Sequence, residues 1–289
     1  MLNICYKYIY FQRSAVIAAL LFPFIQLFSQ HTIHFREVDS NLPVKYCEVK
    51  INNHVFFSDS LGKLKMITSK AFEVVDNRYE NISVQAISKD SFILLHPKEY
   101  IIPEVVISSL QTLNFEDRVK RNSIYNVSTG YNYGKILKGS FQNNAQLKSI
   151  TLYPKRKITN PYFIKLDFYD FSNSSKLILK EKLNKENIII PLSDLSVQKG
   201  NLYIDLRRFN IRLKNNAFFT SIRIIADIGT YQVEKINNII MSLYASKAKE
   251  GIYIGGYNNL IEEIIWNKQN ILSSDPIAIS FSILQPYDN

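Results

Sequence analysis

Apolar and polar residues alternate along much of this chain with a period of two. In Tyr162–Tyr169, Tyr162, Ile164, Leu166 and Phe168 form one wholly apolar set, while Phe163, Lys165, Asp167 and Tyr169 share the opposite face. A β-strand points successive side chains to opposite faces, so the apolar set is read as facing a core. Similar stretches, rich in Ile, Val, Tyr and Phe, predict strands at His31–Arg36, Val44–Ile51, Val55–Phe57, Lys63–Ile67, Ile82–Ile87, Phe92–Leu95 and Glu104–Ile107. Turn residues separate them at Asp39–Pro43, at Asn52-Asn53 and at Asp59-Ser60-Leu61-Gly62. Short strands at this spacing predict a small β-sandwich over residues 30–108.

Longer strands are predicted at Lys148–Tyr153, Tyr162–Tyr169, Lys176–Glu181, Asn187–Ile190, Leu202–Leu206, Phe218–Ala226, Ile239–Tyr244, Gly251–Ile254 and Ile277–Leu284. Without intervening helices they predict a second, larger sandwich of jelly-roll type over residues 131–289. Leu260–Trp266 reads as a short helix, with Leu260, Ile261, Ile264 and Ile265 on one side. Residues 109–130 mix charges (Glu116, Asp117, Arg118, Lys120, Arg121) before Ser128-Thr129-Gly130, and read as a linker. The expected fold class is therefore mainly β.

Residues 1–29 have a different pattern. Lys7 and Arg13 precede an apolar run, Ser14–Phe28, and Ser29 supplies a small residue after it. That order is the one a cleavable secretory signal peptide requires, and its apolar part would form a signal helix. As a helix the run would span about 22 Å, short of the ~30 Å hydrocarbon core of a bilayer. The expectation is export, most simply to the periplasm, with an association to the outer membrane or secretion as further destinations. No transmembrane span is expected after cleavage.

Composition narrows this picture. A hydrophobic share of 46% is ample for a core. Once the leader is removed, Cys47 is the remaining cysteine, so no internal disulfide can form and packing must hold the fold. The formal net charge is +10, but the lysines are dispersed, which serves solubility. No nucleic-acid partner is expected outside the cytoplasm. The densest cationic run, Lys155-Arg156-Lys157, is a candidate anion patch; Arg207, Arg208, Arg212 and Lys214 form a looser one.

Patterns that carry chemistry are sparse. His34-Phe35-Arg36-Glu37 spells a zinc-binding H-x-x-E, but such a site needs a third ligand far downstream, and none of the four histidines (His31, His34, His54 and His96) follows residue 96. On a strand, His34 and Glu37 would also point to opposite faces. His31 and His34 are expected at a frayed mature end. A Ser-His-Asp or Cys-His arrangement cannot be assembled within the second region, which holds no histidine. Cys47 reads as a buried small hydrophobe. Carboxylate pairs for glycoside hydrolysis exist at Glu262-Glu263 beside Trp266, and at Asp167 with Asp170; as surface acids they read as solvated. Gly255-Gly256 reads as a turn, not a phosphate loop. No cofactor, metal site or catalytic residue is expected.

The first region resembles the carboxypeptidase regulatory-like domain of exported Bacteroidota proteins. The residues that carry the likeness are Leu42-Pro43-Val44 with Val49, Asp59-Ser60-Leu61-Gly62-Lys63-Leu64 as a hairpin, and Pro103-Glu104-Val105-Val106-Ile107 as a closing strand. A Gly-Tyr pair before the sixth strand is missing, and Ser69–Glu80 departs from the pattern. The resemblance implies a seven-stranded, transthyretin-like sandwich with no catalytic residues of its own. The second region looks like the β-sandwich that follows this domain in similar proteins, through Tyr203-Ile204-Asp205-Leu206 and Asn210-Ile211.

The expected function is that of an exported, non-enzymatic cell-envelope protein whose second sandwich binds a glycan or a protein partner. Tyr131, Tyr133, Tyr257 and Trp266, each beside Gly or Asn or close to one, are the candidate surface aromatics. Two alternatives stand beside it: an accessory subunit of an outer-membrane uptake or adhesion complex, and a glycan-active enzyme of unrecognised type.

Overall fold

The computed structural model describes residues 31–52, 54–66, 70–87, 89–98, 110–129, 131–155, 162–173, 177–226, 228–229, 239–247, 253–256, 266–268 and 276–286. They are mainly β, arranged in several sheets. None of the described residues forms a helix long and apolar enough to cross a membrane. The signal segment, residues 1–29, lies outside the described residues.

The first unit contains β1 (His31–Glu37), β2 (Glu48–Ile51), β3 (His54–Phe57), β4 (Lys63–Met66), β5 (Phe72–Val74), β6 (Ile82–Val84) and β7 (Ser91–Leu95). They form a three-stranded sheet, β4-β1-β7, and a four-stranded sheet, β3-β2-β5-β6; β1 and β7 run parallel. The two sheets share one core. Ile33, Phe35, Leu64, Met66 and Leu95 come from the first; Val49, Ile51, Phe56, Phe72 and Val74 come from the second, with Cys47 between. The Asp59–Gly62 turn forms as its residues require. Asp59 Oδ1 accepts from the backbone N–H groups of Leu61 and Lys63, both at 2.8 Å. Gly62 has φ +71°, and a Cβ there would sit 2.7 Å from the carbonyl oxygen of Phe35.

Three expectations change here. The strand expected over Val44–Ile51 begins only at Glu48, because Tyr46 takes a left-handed φ of 53° and turns the chain. Phe72–Val74 is an additional strand, too short at three residues to show a clear alternation. His31 and His34 are not at a frayed end: they lie in β1, the middle strand of its sheet, and His31 is buried. Glu104–Ile107 lies outside the described residues.

The second unit contains β8 (Leu110–Phe115), β9 (Val119–Ser128), β10 (Tyr131–Lys138), β11 (Gln146–Leu152), β12 (Phe163–Asn173), β13 (Leu177–Lys182) and β14 (Ile188–Pro191). It continues with β15 (Ser196–Gln198), β16 (Asn201–Asp205), β17 (Ala217–Ile225), β18 (Ile239–Ser246), β19 (Tyr253–Gly256), β20 (Trp266–Lys268) and β21 (Ile279–Pro286). A seven-stranded sheet has the order β13-β12-β17-β10-β19-β20, with β14 also on β12; a five-stranded sheet runs β15-β16-β11-β21-β8. Their facing sides make one core. Ile164, Leu166, Phe168, Phe218, Ile222 and Ile224 meet Leu147, Ile150, Leu152, Leu202, Ile204, Phe281 and Ile283. The ring of Phe281 stacks on Phe115 at 4.7 Å and meets Phe218 edge-on at 5.2 Å.

Within the stretch expected as a linker, residues 109–130, the described residues 110–129 carry two strands. β8 closes the five-stranded sheet against β21, and β9 pairs with β18. Its polar composition misled because both are outer strands with alternating exposed positions. Asp117, between them, is anchored: it pairs with Lys135, accepts from the N–H of Ile279 at 3.0 Å and from the hydroxyl of Ser246. The helix expected over Leu260–Trp266 is not found at its last residue, since Trp266 opens β20 against β19; residues 260–265 lie outside the described ones.

The two units are joined by packing and by backbone. Phe57 packs with Ile189 and Ile225, flanked by Tyr46, Val55, Phe163 and Ile228. Gly229 donates to the carbonyl of Phe57 and accepts from the N–H of Lys65, both at 2.8 Å. On the face of β12 opposite the apolar set, Lys165 and Asp167 are buried too. Asp167 binds Lys165 at 2.6 Å and Lys182 at 2.8 Å, and Lys165 lies 3.9 Å from Glu48 of the first unit.

Candidate functional site

A cleft of about 1310 Å³ opens where the two units meet. One wall is the Pro43–Tyr46 loop with Ser60, Arg78 and Tyr79. The other runs from Glu186 through β14 to the end of β16 and the 3-10 turn Arg207–Phe209.

The first wall is built on Asp76. Its fully buried carboxylate accepts from Arg78 Nε at 2.9 Å and Nη2 at 2.8 Å, from the N–H of Arg78 at 3.0 Å and from that of Glu48 at 3.2 Å. Arg78 also donates to the carbonyl of Lys45 at 2.8 Å, fixing the loop beside it. Ser58, buried behind the loop, accepts from Cys47 N–H at 2.8 Å and donates to the Val44 carbonyl at 3.1 Å. Tyr46 therefore keeps its left-handed backbone and presents its ring toward the second unit.

The second wall is fixed by Asn187. Its amide donates across the junction to Asp76 Oδ2 at 3.1 Å. Beyond it, Tyr203 is half-buried on β16, and Asp205 holds Arg207 at 3.0 Å through Nε. Asn210 caps the turn with φ 45° and donates to the Arg207 carbonyl at 3.2 Å. Arg208 lies over the Phe209 ring at 4.6 Å. Among the described residues no carboxylate pairs with Arg208.

The electrostatics of the cleft are balanced. Lys45, Arg78, Arg207 and Arg208 face Glu186, Asp194 and Asp205, and two of the arginines are committed to Asp76 and Asp205. Burial would raise the Asp76 carboxyl, but the Arg78 hydrogen bonds and charge outweigh it and hold it below the usual range. Burial pushes Tyr79 up to about 12, and burial with the Asp194 charge raises Tyr46. Both phenols are neutral at pH 7, and the Tyr79 hydroxyl donates to Glu37 Oε1 at 3.5 Å.

The sites expected from sequence distribute differently. Tyr133 is not a surface aromatic: it is buried, its ring meets Tyr125 edge-on at 5.6 Å, and its Oη accepts from Ser128 N–H at 2.8 Å. Tyr131 is half-buried and packs on the same core. Their place on β10, paired on both sides, explains the correction. Tyr257 lies outside the described residues, and of Trp266 the backbone in β20 is described. In the cationic run, Lys155 is exposed and its N–H donates to the Ser242 carbonyl at 2.8 Å; Arg156 and Lys157 lie outside the described residues. The looser cluster is divided, with Arg212 on Asn210, Lys214 paired with Glu181, and Arg207 and Arg208 at the cleft.

The carboxylate pair Asp167 and Asp170 does not converge, since Asp167 is held by two lysines and Asp170 accepts from Asn215 at 2.8 Å. Glu262 and Glu263 lie outside the described residues. Cys47 is buried, and burial raises its thiol well above the ordinary value. Among the described residues no three His, Cys, Asp or Glu side chains gather as a metal site.

Sequence reasoning reached the cleft's parts without their meeting: Leu42-Pro43-Val44, Tyr203-Ile204-Asp205 and Arg207-Arg208 were singled out separately. No protein-family model, curated protein or solved structure matches the chain.

Proposed function

We propose that this chain is an exported, non-enzymatic envelope protein that binds a glycan segment in the cleft between its two β-sandwiches. The observation that carries the reading is the half-buried Tyr46 on one wall and the half-buried Tyr203 on the other, in a cleft whose charges largely cancel. The ring faces of Tyr46 and Tyr203 take the apolar side of a sugar, and the exposed Ser196 and Gln198 meet its hydroxyls. At about 1310 Å³ the cleft exceeds the ~300–1,000 Å³ of a small-molecule pocket and suits several linked units. The three- and four-stranded sheets around one core support the transthyretin-like, regulatory-domain reading of the first unit. The paired large sheets of the second support the jelly-roll reading. The Lys7-to-Ser29 pattern supports export and a periplasmic address.

The test is a glycan array probed with the purified chain, followed by titration of the retained oligosaccharides against Tyr203→Ala. Retention lost in the variant supports the reading. Retention of an envelope protein through the same walls, with no glycan bound, replaces it with the protein-partner alternative.

A further inference from the structure

The outer face of the three-stranded sheet is chemically graded. Its outward positions are Lys63 and Lys65 on β4, Thr32, His34 and Arg36 on β1, and Phe92 and Leu94 on β7. Register places Lys63, His34 and Phe92 in one row, and Arg36 beside Leu94. Adjacent strands lie about 4.8 Å apart, so a cationic column and an apolar column run parallel about 10 Å from each other. No carboxylate occupies these outward positions. Asp90, at the margin, is turned onto the N–H of Thr32 at 2.6 Å.

The apolar column is held outward. Phe92 is 61% exposed and Leu94 52%. The Arg36 guanidinium covers one side of the Phe92 ring at 5.1 Å from its centroid, and the His34 ring lies 4.9 Å from it. Buried large side chains are available elsewhere in this core, so an exposed Phe and Leu at i and i+2 of one strand form a patch.

We propose that this face docks on an anionic lipid surface, with Phe92 and Leu94 entering the headgroup boundary and Lys63, Lys65 and Arg36 on the lipid phosphates. Charge complementarity selects this occupant: the face is cationic, and of the chain's formal +10 just Lys7 and Arg13 leave with the leader. Area points the same way. Two projecting side chains fall far short of the ~800 Å² per partner of a stable protein interface, whereas a bilayer accepts a small apolar anchor supported by cations. The proposal is independent of the cleft, whose walls lie on other loops, with Pro43 at the margin between them.

The experiment is sedimentation of the full exported chain with vesicles of phosphatidylcholine alone, or of phosphatidylcholine with 30% phosphatidylglycerol. The neutral vesicles report any binding that needs no anionic lipid. Binding is expected on the anionic vesicles and is expected to weaken with salt. Lys63→Glu with Lys65→Glu lowers it by about fivefold or more for each position, the worth of one cation near such a surface. Phe92→Ser with Leu94→Ser lowers it as well. Both pairs are exposed or half-exposed, so circular dichroism stays that of the parent. Absence of binding to anionic vesicles at low salt overturns the proposal. So does binding that neither pair of substitutions alters, or a dimer in light scattering that Phe92→Ser with Leu94→Ser dissolves.

Discussion

Asn187 Nδ2 donates to Asp76 Oδ2 at 3.1 Å, across 111 positions of chain, and that bond spans the base of the cleft. Asp76 belongs to the first unit and Asn187 enters β14 of the second. The carboxylate has other donors in Arg78 and Glu48, so the amide adds an inter-unit link to an already satisfied group. The cleft walls are thereby set by a buried hydrogen bond as well as by the apolar contact of Phe57 with Ile189 and Ile225.

Asn187→Ala removes that link and is expected to cost about 2 kcal/mol, the usual range for a hydrogen bond to a charged group. Asn187→Asp costs more, because two buried carboxylates then face each other. Urea unfolding at pH 7 measures both, and equal midpoints for the two variants would contradict the bond's assigned role.

Lys135 and Asp117 form the second buried pair. Both side chains are less than 10% exposed, and Lys135 Nζ also donates to the Ile277 carbonyl at 3.0 Å. Lys135→Met leaves the Asp117 charge buried without its partner and is expected to destabilise by about 3–5 kcal/mol. Lys148→Met, which removes a half-buried lysine whose bond to Thr112 lies at the surface, serves as the control and leaves the unfolding midpoint near the parent's.

Acid acts on Asp167. Burial raises its carboxyl, but Lys165 and Lys182 outweigh that and hold it well below the ordinary range. A depressed folded-state pKa contributes stability above the unfolded value of about 3.9, lost as pH falls through the folded value. Lys165 has the opposite sign: burial lowers it, Asp167 and Glu48 outweigh burial, and its contribution is lost only as pH rises past the ordinary lysine range. Thermal melts are therefore expected to be level from neutrality to about pH 4 as far as this pair is concerned, then to fall. Asp167→Asn lowers the plateau and flattens that fall.

Cys47 is expected to be inert in the folded chain. Burial, followed by the Asp76 charge, pushes its thiol well above the ordinary value, and the side chain is 0% exposed. Iodoacetamide at pH 8 should leave the Cys47 peptide unmodified by mass spectrometry until urea is added. Labelling of the folded chain at the rate of a free cysteine would show this packing to be wrong.

Much of the strand pattern was legible because it depends on single-strand alternation. Ile164, Leu166 and Phe168 were read as a core face and are fully buried. The same rule misread Lys165 and Asp167 as solvent-facing, since burial of the second face comes from outside the strand, through paired charges and the first unit. β8 and β9 hid behind a polar composition that outer strands tolerate. Tyr133 sits beside Asn132 and Gly134, which made it a candidate surface aromatic, yet β10 passes through all three and the ring is buried. The cleft was illegible for a topological reason. Tyr46 and Asn187 are 141 positions apart, and no local pattern reports that two loops will meet.

Calorimetric titration of an array-selected oligosaccharide against the parent chain, Tyr203→Ala and Arg208→Ala tests the cleft most directly. The account expects measurable binding by the parent, a loss of about tenfold or more on removing the Tyr203 ring, as one stacked aromatic contributes, and a smaller loss at Arg208. Binding of the same strength in all three proteins would contradict it.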